Sequence, residues 1–163
     1  MNAIGTSLKD AYIITNQIFE DERGSFRESF NLRDIQKIIG PYEFVQDSHS
    51  ISTKNVVRGL HYQIEHAQGK LVRCIAGEIY DVIVDLRKNS ETFGKWVGFY
   101  LRPGPEQLWV PPGFAHGFCA MSDQAEVLYK VTDYRYAEYE RSLLWNDKTL
   151  NIYWSVSSPI PVS

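Results

Sequence analysis

The chain has 163 residues, of which 44% are hydrophobic and 23% charged, which predicts one globular domain spanning residues 1–163. The net charge of −3 and a pI near 5.8 provide no basic field, so no nucleic-acid partner is expected and an anionic ligand would need a local group of cations. No apolar run approaches about 18 residues and no leader pattern opens the sequence, so we expect a cytoplasmic protein without membrane contact.

The N-terminal part predicts two strands and one helix. Residues 11–15 are β-branched and extended, and residues 25–30 alternate apolar with polar side chains, as a half-buried strand does. From residue 32 to residue 39 the apolar side chains recur at helical spacing. Asn31 is a suitable N-cap, and Gly40 followed by Pro41 ends the helix.

From residue 44 onward the sequence predicts short strands separated by glycine and proline turns. The predicted strands are 44–50, 57–63, 71–77, 79–86, 96–101, 107–110, 114–121 and 125–131. Many short strands at nearly regular spacing are typical of a sandwich, a jelly roll or a barrel. Residues 133–140 resemble a surface loop, and the tail from Ser155 has no periodicity.

The two cysteines, Cys74 and Cys119, lie in apolar strand-like runs without metal-binding or redox spacing. We therefore expect buried free thiols in a reducing compartment and not a disulfide.

The most informative stretch is residues 57–63, in which Arg58, Gly59 and His61 end an apolar run. Strand parity places Arg58 and His61 on opposite faces, but a glycine in a strand often marks a bulge, which would bring both into one cavity. In the strand 125–131, parity turns Tyr129 inward with Val127 and Val131.

These residue types leave two interpretations of His61 open. It is either a hydrogen-bonded interior histidine or the base for a carbon acid, with a tyrosine returning the proton. Nearby Lys70 and Arg73 favour the second interpretation, because buried cations are costly unless they meet an anion. His116 is equally compatible with a turn histidine and with a ligand contact.

A metal site is disfavoured by the spacing of the four histidines. A jelly-roll metal site needs two histidines close together on one strand, but Gln63 occupies the position two residues after His61.

Six segments in this order resemble the dTDP-4-dehydrorhamnose 3,5-epimerase family, over nearly the whole chain from about residue 10 to Trp154. They are RGLHYQ at 58–63, QGKLVRC at 68–74, DVIVDLR at 81–87, TFGKWVG at 92–98, QLWVPPGFAHGF at 107–118 and YKVTDY at 129–134. The resemblance implies an all-β, cupin-type jelly roll with one short N-terminal helix, forming a homodimer without cofactor or metal.

The resemblance also implies a reaction and a set of site residues. The implied substrate is a nucleotide-diphospho-4-keto-6-deoxyhexose, linked to dTDP or to another nucleotide such as CDP, in deoxysugar and polysaccharide (O-antigen, lipopolysaccharide) biosynthesis. His61 would be the base, Tyr129 the acid and Lys70 the stabiliser of the enolate. The residues matched to substrate contacts are Phe19, Arg23, Phe26, Glu28, Gln46, Arg58 and His116, of which the first four often contact the nucleotide across the dimer.

The sequence departs from the family pattern at three places. In the family a late aspartate pairs with the catalytic histidine, and no counterpart follows Trp154, which leaves Asp81 and Asp85 as the candidate substitutes. Arg135 stands where tyrosine is common, and Ser48 where asparagine is common. The alternative functions are therefore a member that inverts only C3 or only C5, or a non-catalytic binder of nucleotide sugars.

Overall fold

A computed structural model of the chain describes residues 1–162. It contains fourteen strands, one α-helix and one 3-10 turn. The strands are β1 (Asn2–Gly5), β2 (Tyr12–Thr15), β3 (Phe19–Asp21), β4 (Gly24–Phe26), β5 (Gln46–Thr53), β6 (Val56–Gln63), β7 (Lys70–Ala76), β8 (Ile79–Asp85), β9 (Trp96–Leu101), β10 (Glu106–Val110), β11 (Phe114–Ala120), β12 (Gln124–Val131), β13 (Glu140–Ser142) and β14 (Ile160–Val162). The helix α1 spans Leu32–Ile39, and the 3-10 turn spans Ala137–Tyr139.

Two antiparallel sheets form a sandwich. Sheet I has the strand order β1-β2-β10-β7-β12-β5, and sheet II has the order β13-β6-β11-β8-β9. The C-terminal strand β14 adds to β6 in parallel, and β3 pairs with β4 in a separate hairpin. The all-β architecture with one α-helix is the one that the strand and turn pattern predicted.

The main core lies between the sheets, because alternate residues of each central strand point inward. It contains the buried side chains of Val72, Ile83, Leu108, Phe118 and Val127. The odd-numbered residues of β8 face this core, so the carboxylates of Asp81 and Asp85 also point into the interior.

Both outer faces of the sandwich are covered as well. The amphipathic helix α1 packs Ile35 on the outer face of sheet I, against Ile14 and Trp109. The segment before β14 covers sheet II, where Trp154 packs with Val57, Leu60 and Val82. Every residue of β8 is buried as a result.

The predicted helix matches α1 at both ends, and Gly40 closes it with φ +95. Asn31 occupies the N-cap position, as predicted, but its side chain makes no capping hydrogen bond; its carbonyl accepts from the backbone N–H groups of Asp34 and Ile35 instead. The predicted strand 25–30 is shorter and ends at Phe26, and part of the predicted loop 133–140 forms the 3-10 turn and the start of β13.

Cys74 and Cys119 are buried free thiols, as predicted. Cys74 packs in the core between the two sheets, and Cys119 packs between sheet II and the segment that covers it. Within residues 1–162 no helix reaches the length and apolar character needed to cross a membrane.

Candidate active site

A cavity opens between the two sheets at one end of the sandwich. It consists of two adjoining pockets of about 80 and 200 Å3, which share His61, Lys70, Tyr129 and Glu140. The structure thus brings together six of the residues selected from the sequence. They are Gln46, Arg58, His61, Lys70, His116 and Tyr129.

The cavity walls come from different sheets. Lys70 on β7 and Tyr129 on β12 belong to sheet I, whereas Arg58 and His61 on β6 and His116 on β11 belong to sheet II. Tyr129 also packs against the main core, which confirms that its side chain turns inward.

A bulge at Gly59 explains how Arg58 and His61 reach the same cavity. His116 pairs with His61 and Phe118 with Arg58, so three steps on β6 oppose two on β11. Gly59 has φ +106, and a Cβ there would lie 2.6 Å from the carbonyl oxygen of His116. Only glycine fits this close approach, and the predicted bulge is confirmed.

His61 is half-buried, and its imidazole lines both pockets. Burial is the main cause that lowers its pKa below 6.5, and the positive charge of Lys70 acts in the same direction. Glu140 acts in the opposite direction. A histidine in these surroundings is neutral near pH 7 and can accept a proton.

Lys70 is the most deeply buried cation of the cavity, with 8% of its surface exposed. Burial lowers its pKa from 10.5 to about 8, against the opposing influence of Asp81 and Glu140. It therefore stays largely protonated near pH 7 and provides a positive charge in a poorly solvated place. Such a charge is most effective on an oxyanion that forms beside it.

His116 and Asp81 form a buried pair on the floor of the cavity. The Nε2 atom of His116 lies 2.9 and 3.0 Å from the two carboxylate oxygens of Asp81, and Asp81 is fully buried. The carboxylate fixes the orientation of the ring, so His116 is an oriented cavity residue and not a turn histidine bonded to backbone.

The two candidate substitutes, Asp81 and Asp85, both have partners other than His61. Asp81 is engaged by His116. Asp85 accepts hydrogen bonds from Arg87, Ser90 and Thr92, and although burial opposes its ionisation, these donors keep its pKa well below the usual range. Within residues 1–162 no hydrogen bond to the imidazole contributes to the pKa of His61.

The structure adds Glu140, which the sequence did not indicate. Its carboxylate lines both pockets, and its Oε2 accepts a hydrogen bond of 2.7 Å from Nε of Arg135 and forms an ion pair with Nη2 of Arg135, also at 2.7 Å. Glu140 is the first residue of β13 and pairs with Gln63 on β6. This pairing places it one diagonal step from His61.

Three glutamine side chains of the cavity wall form hydrogen bonds with the segment after β12. The buried Gln63 donates to the carbonyls of His66 and Tyr134 and accepts from the backbone N–H of Tyr136. Gln68 donates to the carbonyl of Asp133, and Gln46 accepts from the N–H of Arg135. Gln63, which stands where a metal site would need histidine, thus has a structural role.

Two serines of β5 line the sheet I side of the cavity. Ser48 accepts a hydrogen bond from Nε2 of Gln46 at 3.2 Å. The Oγ atom of Ser50 is buried and has no hydrogen-bond partner within the described chain. A bound polar ligand is one means of satisfying such a group.

The remaining sequence-selected residues lie outside this cavity. Phe19, Arg23 and Phe26 line a groove of about 530 Å3 on the β3–β4 hairpin, and Glu28 lines a separate depression beside Asn16. Phe19 and Phe26 are 54% and 70% exposed, which is unusual for large aromatic side chains.

Metal-ligand geometry is absent from the part of the chain that the structure describes, residues 1–162. No three His, Cys, Asp or Glu side chains are grouped there as ligands of one ion.

Comparison with known proteins adds three findings. The family model described as dTDP-4-dehydrorhamnose 3,5-epimerase matches residues 5–163. The enzyme of that name from Shigella flexneri is 54% identical over 163 residues, covering 98% of this chain and 90% of the relative. A crystal structure of dTDP-6-deoxy-D-glucose-3,5-epimerase from Legionella pneumophila, in complex with dTDP-4-keto-L-rhamnose, superposes with a TM-score of 0.94 at 44% identity, covering 99% of this chain and 87% of that one.

A more distant solved structure is also informative. ChmJ, a 3'-monoepimerase from Streptomyces bikiniensis, in complex with dTDP-quinovose, is 26% identical with a TM-score of 0.88, covering 97% of this chain and 81% of that one.

The fold and these relatives define an isomerase built on a cupin-type jelly roll. The match extends over nearly the whole chain and includes every strand that lines the cavity. The chain belongs to the dTDP-4-dehydrorhamnose 3,5-epimerase family.

Proposed function

We propose that the chain inverts C3 and C5 of a dTDP-linked 4-keto-6-deoxyhexose. One observation carries the mechanism: His61 and Tyr129 line the same cavity but stand on different sheets. Inversion of a carbon requires that a proton leave one face and return to the other. A base and an acid on opposite walls meet that requirement.

The proposed reaction uses the acidity that the C4 ketone gives to hydrogens at C3 and C5. His61, kept neutral by the burial that lowers its pKa, removes the proton. The ammonium of Lys70 stabilises the enolate oxygen that forms. Tyr129 then delivers a proton from the opposite wall. His61 releases its proton to water and Tyr129 regains one from water, after which the same cycle at the other carbon completes the double epimerisation.

The preference for two carbons rests on the 54% identical relative, whose name specifies a 3,5-epimerase. The first alternative is inversion of one carbon, supported by the likeness to ChmJ, a 3'-monoepimerase. The second is a binder without catalysis, supported by the lack of a hydrogen-bonded carboxylate at His61 within residues 1–162.

Incubation in deuterium oxide distinguishes these functions. With dTDP-4-keto-6-deoxyglucose, we expect NMR and mass spectrometry to find deuterium at both C3 and C5. Deuterium at one carbon indicates a monoepimerase. Binding of the nucleotide sugar without deuterium at either carbon contradicts the proposal.

Matched variants test the roles of the two residues. We expect His61→Asn and Tyr129→Phe each to lower kcat by about a hundredfold or more, while the affinity for dTDP changes little. His49→Asn and Tyr153→Phe are the controls, because His49 is about half exposed and Tyr153 is 69% exposed, and neither lines the cavity. Equal losses in variants and controls would argue against the assigned roles.

We further propose a homodimer in which the β3–β4 hairpin serves the partner's cavity. The support is the exposure of Phe19 and Phe26 and the position of Arg23 beside them, away from the cavity of their own chain. Arg23 is bonded to Asp21 and is 85% exposed, so its guanidinium is available for an anionic nucleotide.

Subunit mixing tests this arrangement. In a mixed dimer of His61→Asn and Arg23→Ala, one site combines an intact His61 with an intact hairpin from the other chain. Statistical mixing then restores about a quarter of the wild-type activity. If the hairpin serves its own chain, both sites stay defective and mixing restores nothing.

A further inference from the structure

The ion pair between Arg135 and Glu140 lies at the cavity but has no part in the proposed proton transfers. Both residues line the smaller pocket together with His61. Arg135 is 63% exposed and Glu140 27%, so the guanidinium covers the carboxylate from the solvent side. Two nitrogens of Arg135 contact one oxygen, Oε2, at 2.7 Å each.

Contacts with neighbouring strands hold both residues of the ion pair in place. Glu140 is fixed by the pairing of β13 with β6, the strand that carries His61. The backbone N–H of Arg135 is bonded to Gln46, and the next residue is bonded to Gln63, which is itself on β6. The ion pair is therefore tied to the strand of the base at two points, which gives it a defined position relative to the imidazole.

Charged and titratable groups face His61 from every neighbouring element. They are Arg58 on its own strand, Lys70 on β7, His116 on β11, Tyr129 on β12, Arg135 after β12 and Glu140 on β13. Burial, Lys70, His116 and Arg135 disfavour the imidazolium, and Glu140 favours it. The carboxylate that most affects the base is thus the one that Arg135 holds.

We infer that Arg135 is a positioning residue that holds the Glu140 carboxylate at the cavity wall, shares its charge, and thereby sets the pH at which His61 loses its proton. Its catalytic consequence rests on the proposed function of His61 as the base. The titration of His61 itself does not require catalysis.

The test is an NMR titration of the His61 imidazole in the substrate-free protein, with the resonance assigned by its loss in His61→Asn. In Arg135→Gln we expect the midpoint to rise by about half a pH unit. One nearby positive charge is removed, and the negative charge of Glu140 is no longer shared with a guanidinium. Arg135→Lys keeps the positive charge, so its His61 midpoint should rise by less than half as much as that of Arg135→Gln. Arg102→Gln is the matched control, since Arg102 binds Glu78 at the same 2.7 Å with 70% and 27% exposure, outside the cavity.

A double-variant cycle tests the route through Glu140. We expect Arg135→Gln to shift the His61 midpoint less than half as much in a Glu140→Gln background as in the wild type. Equal shifts in both backgrounds, no shift in Arg135→Gln, or a downward shift overturns the inference. If the midpoint moves as expected but the wild type exchanges no deuterium into a nucleotide sugar, the inference stands and the proposed function fails.

Discussion

Replacing Lys70 by methionine should stabilise the protein while it removes activity. Methionine has nearly the same shape, so the substitution removes the charge and keeps most of the packing at a site that is 8% exposed. The buried ammonium is an unfavourable group that the folded chain retains in the proposed site. Stability and catalysis are therefore expected to change in opposite directions.

The size of the effect follows from the lowered pKa. Each pKa unit corresponds to about 1.4 kcal/mol, so the fall from 10.5 to about 8 means that the charged form of Lys70 costs about 3 kcal/mol of folding free energy near pH 7. Because this pKa already includes the attraction to Asp81 and Glu140, about 3 kcal/mol is an upper bound, and we expect a net gain of about 1–3 kcal/mol.

The gain should depend on pH in a defined direction. Between about pH 8 and pH 10.5 the unfolded chain holds the Lys70 proton more tightly than the folded chain, so the wild type becomes more stable as the pH rises through this range. The advantage of Lys70→Met is full below pH 8 and disappears by about pH 10.5.

Urea unfolding at pH 7 and at pH 10.5 measures both quantities, with epimerisation followed in parallel. Lys54→Met is the control, because Lys54 is 58% exposed and lies 3.8 Å from an almost fully exposed Asp123. A Lys70→Met protein that is less stable than the wild type at pH 7, or equally more stable at both pH values, would refute the reasoning.

Three further outcomes are expected. Because burial lowers the pKa of His61 below 6.5, the acidic limb of kcat/KM should have its midpoint below pH 6.5; a midpoint above that value contradicts the role of burial. Gly59→Ala should lower the unfolding free energy by about 3 kcal/mol or more in denaturant titrations, since its Cβ would lie 2.6 Å from a backbone oxygen; a loss below about 1 kcal/mol would contradict the close packing. Gln63→Leu, which leaves backbone groups of the segment after β12 unpaired, should cost about 2–3 kcal/mol, whereas the exposed Gln124→Leu should change stability by less than about 0.5 kcal/mol.

The sequence predicted the elements whose signals are local. The helix at Leu32–Ile39 follows from apolar spacing and from Gly40, and the strands β5 to β12 follow from apolar runs between turn residues. The short strands β1 and β14 were missed because every described residue in them is exposed, and they form only by pairing with distant parts of the chain. No periodicity records such a pairing.

The candidate site was predictable to the same extent. Parity turned Tyr129 inward, and the glycine in β6 indicated the bulge that brings Arg58 and His61 together. The pairing of His116 with Asp81 joins residues 35 apart in the chain, and it depends on which strands become neighbours in sheet II. Glu140 was missed because its acidic and aromatic surroundings resemble a solvated loop.

Because His61 and Tyr129 stand on separate sheets, the spacing between the sheets affects the rates of the proposed proton transfers. No ladder of hydrogen bonds connects β6 to β12, so the distance between the proposed base and acid is set by the side chains packed between the sheets. Under the proposed mechanism, small changes of volume at Val72 or Leu108 would alter how the enolate is partitioned between reprotonation by His61 on the original face and protonation by Tyr129 on the opposite face. If His61 and Tyr129 act as proposed, core packing helps to determine stereochemical fidelity.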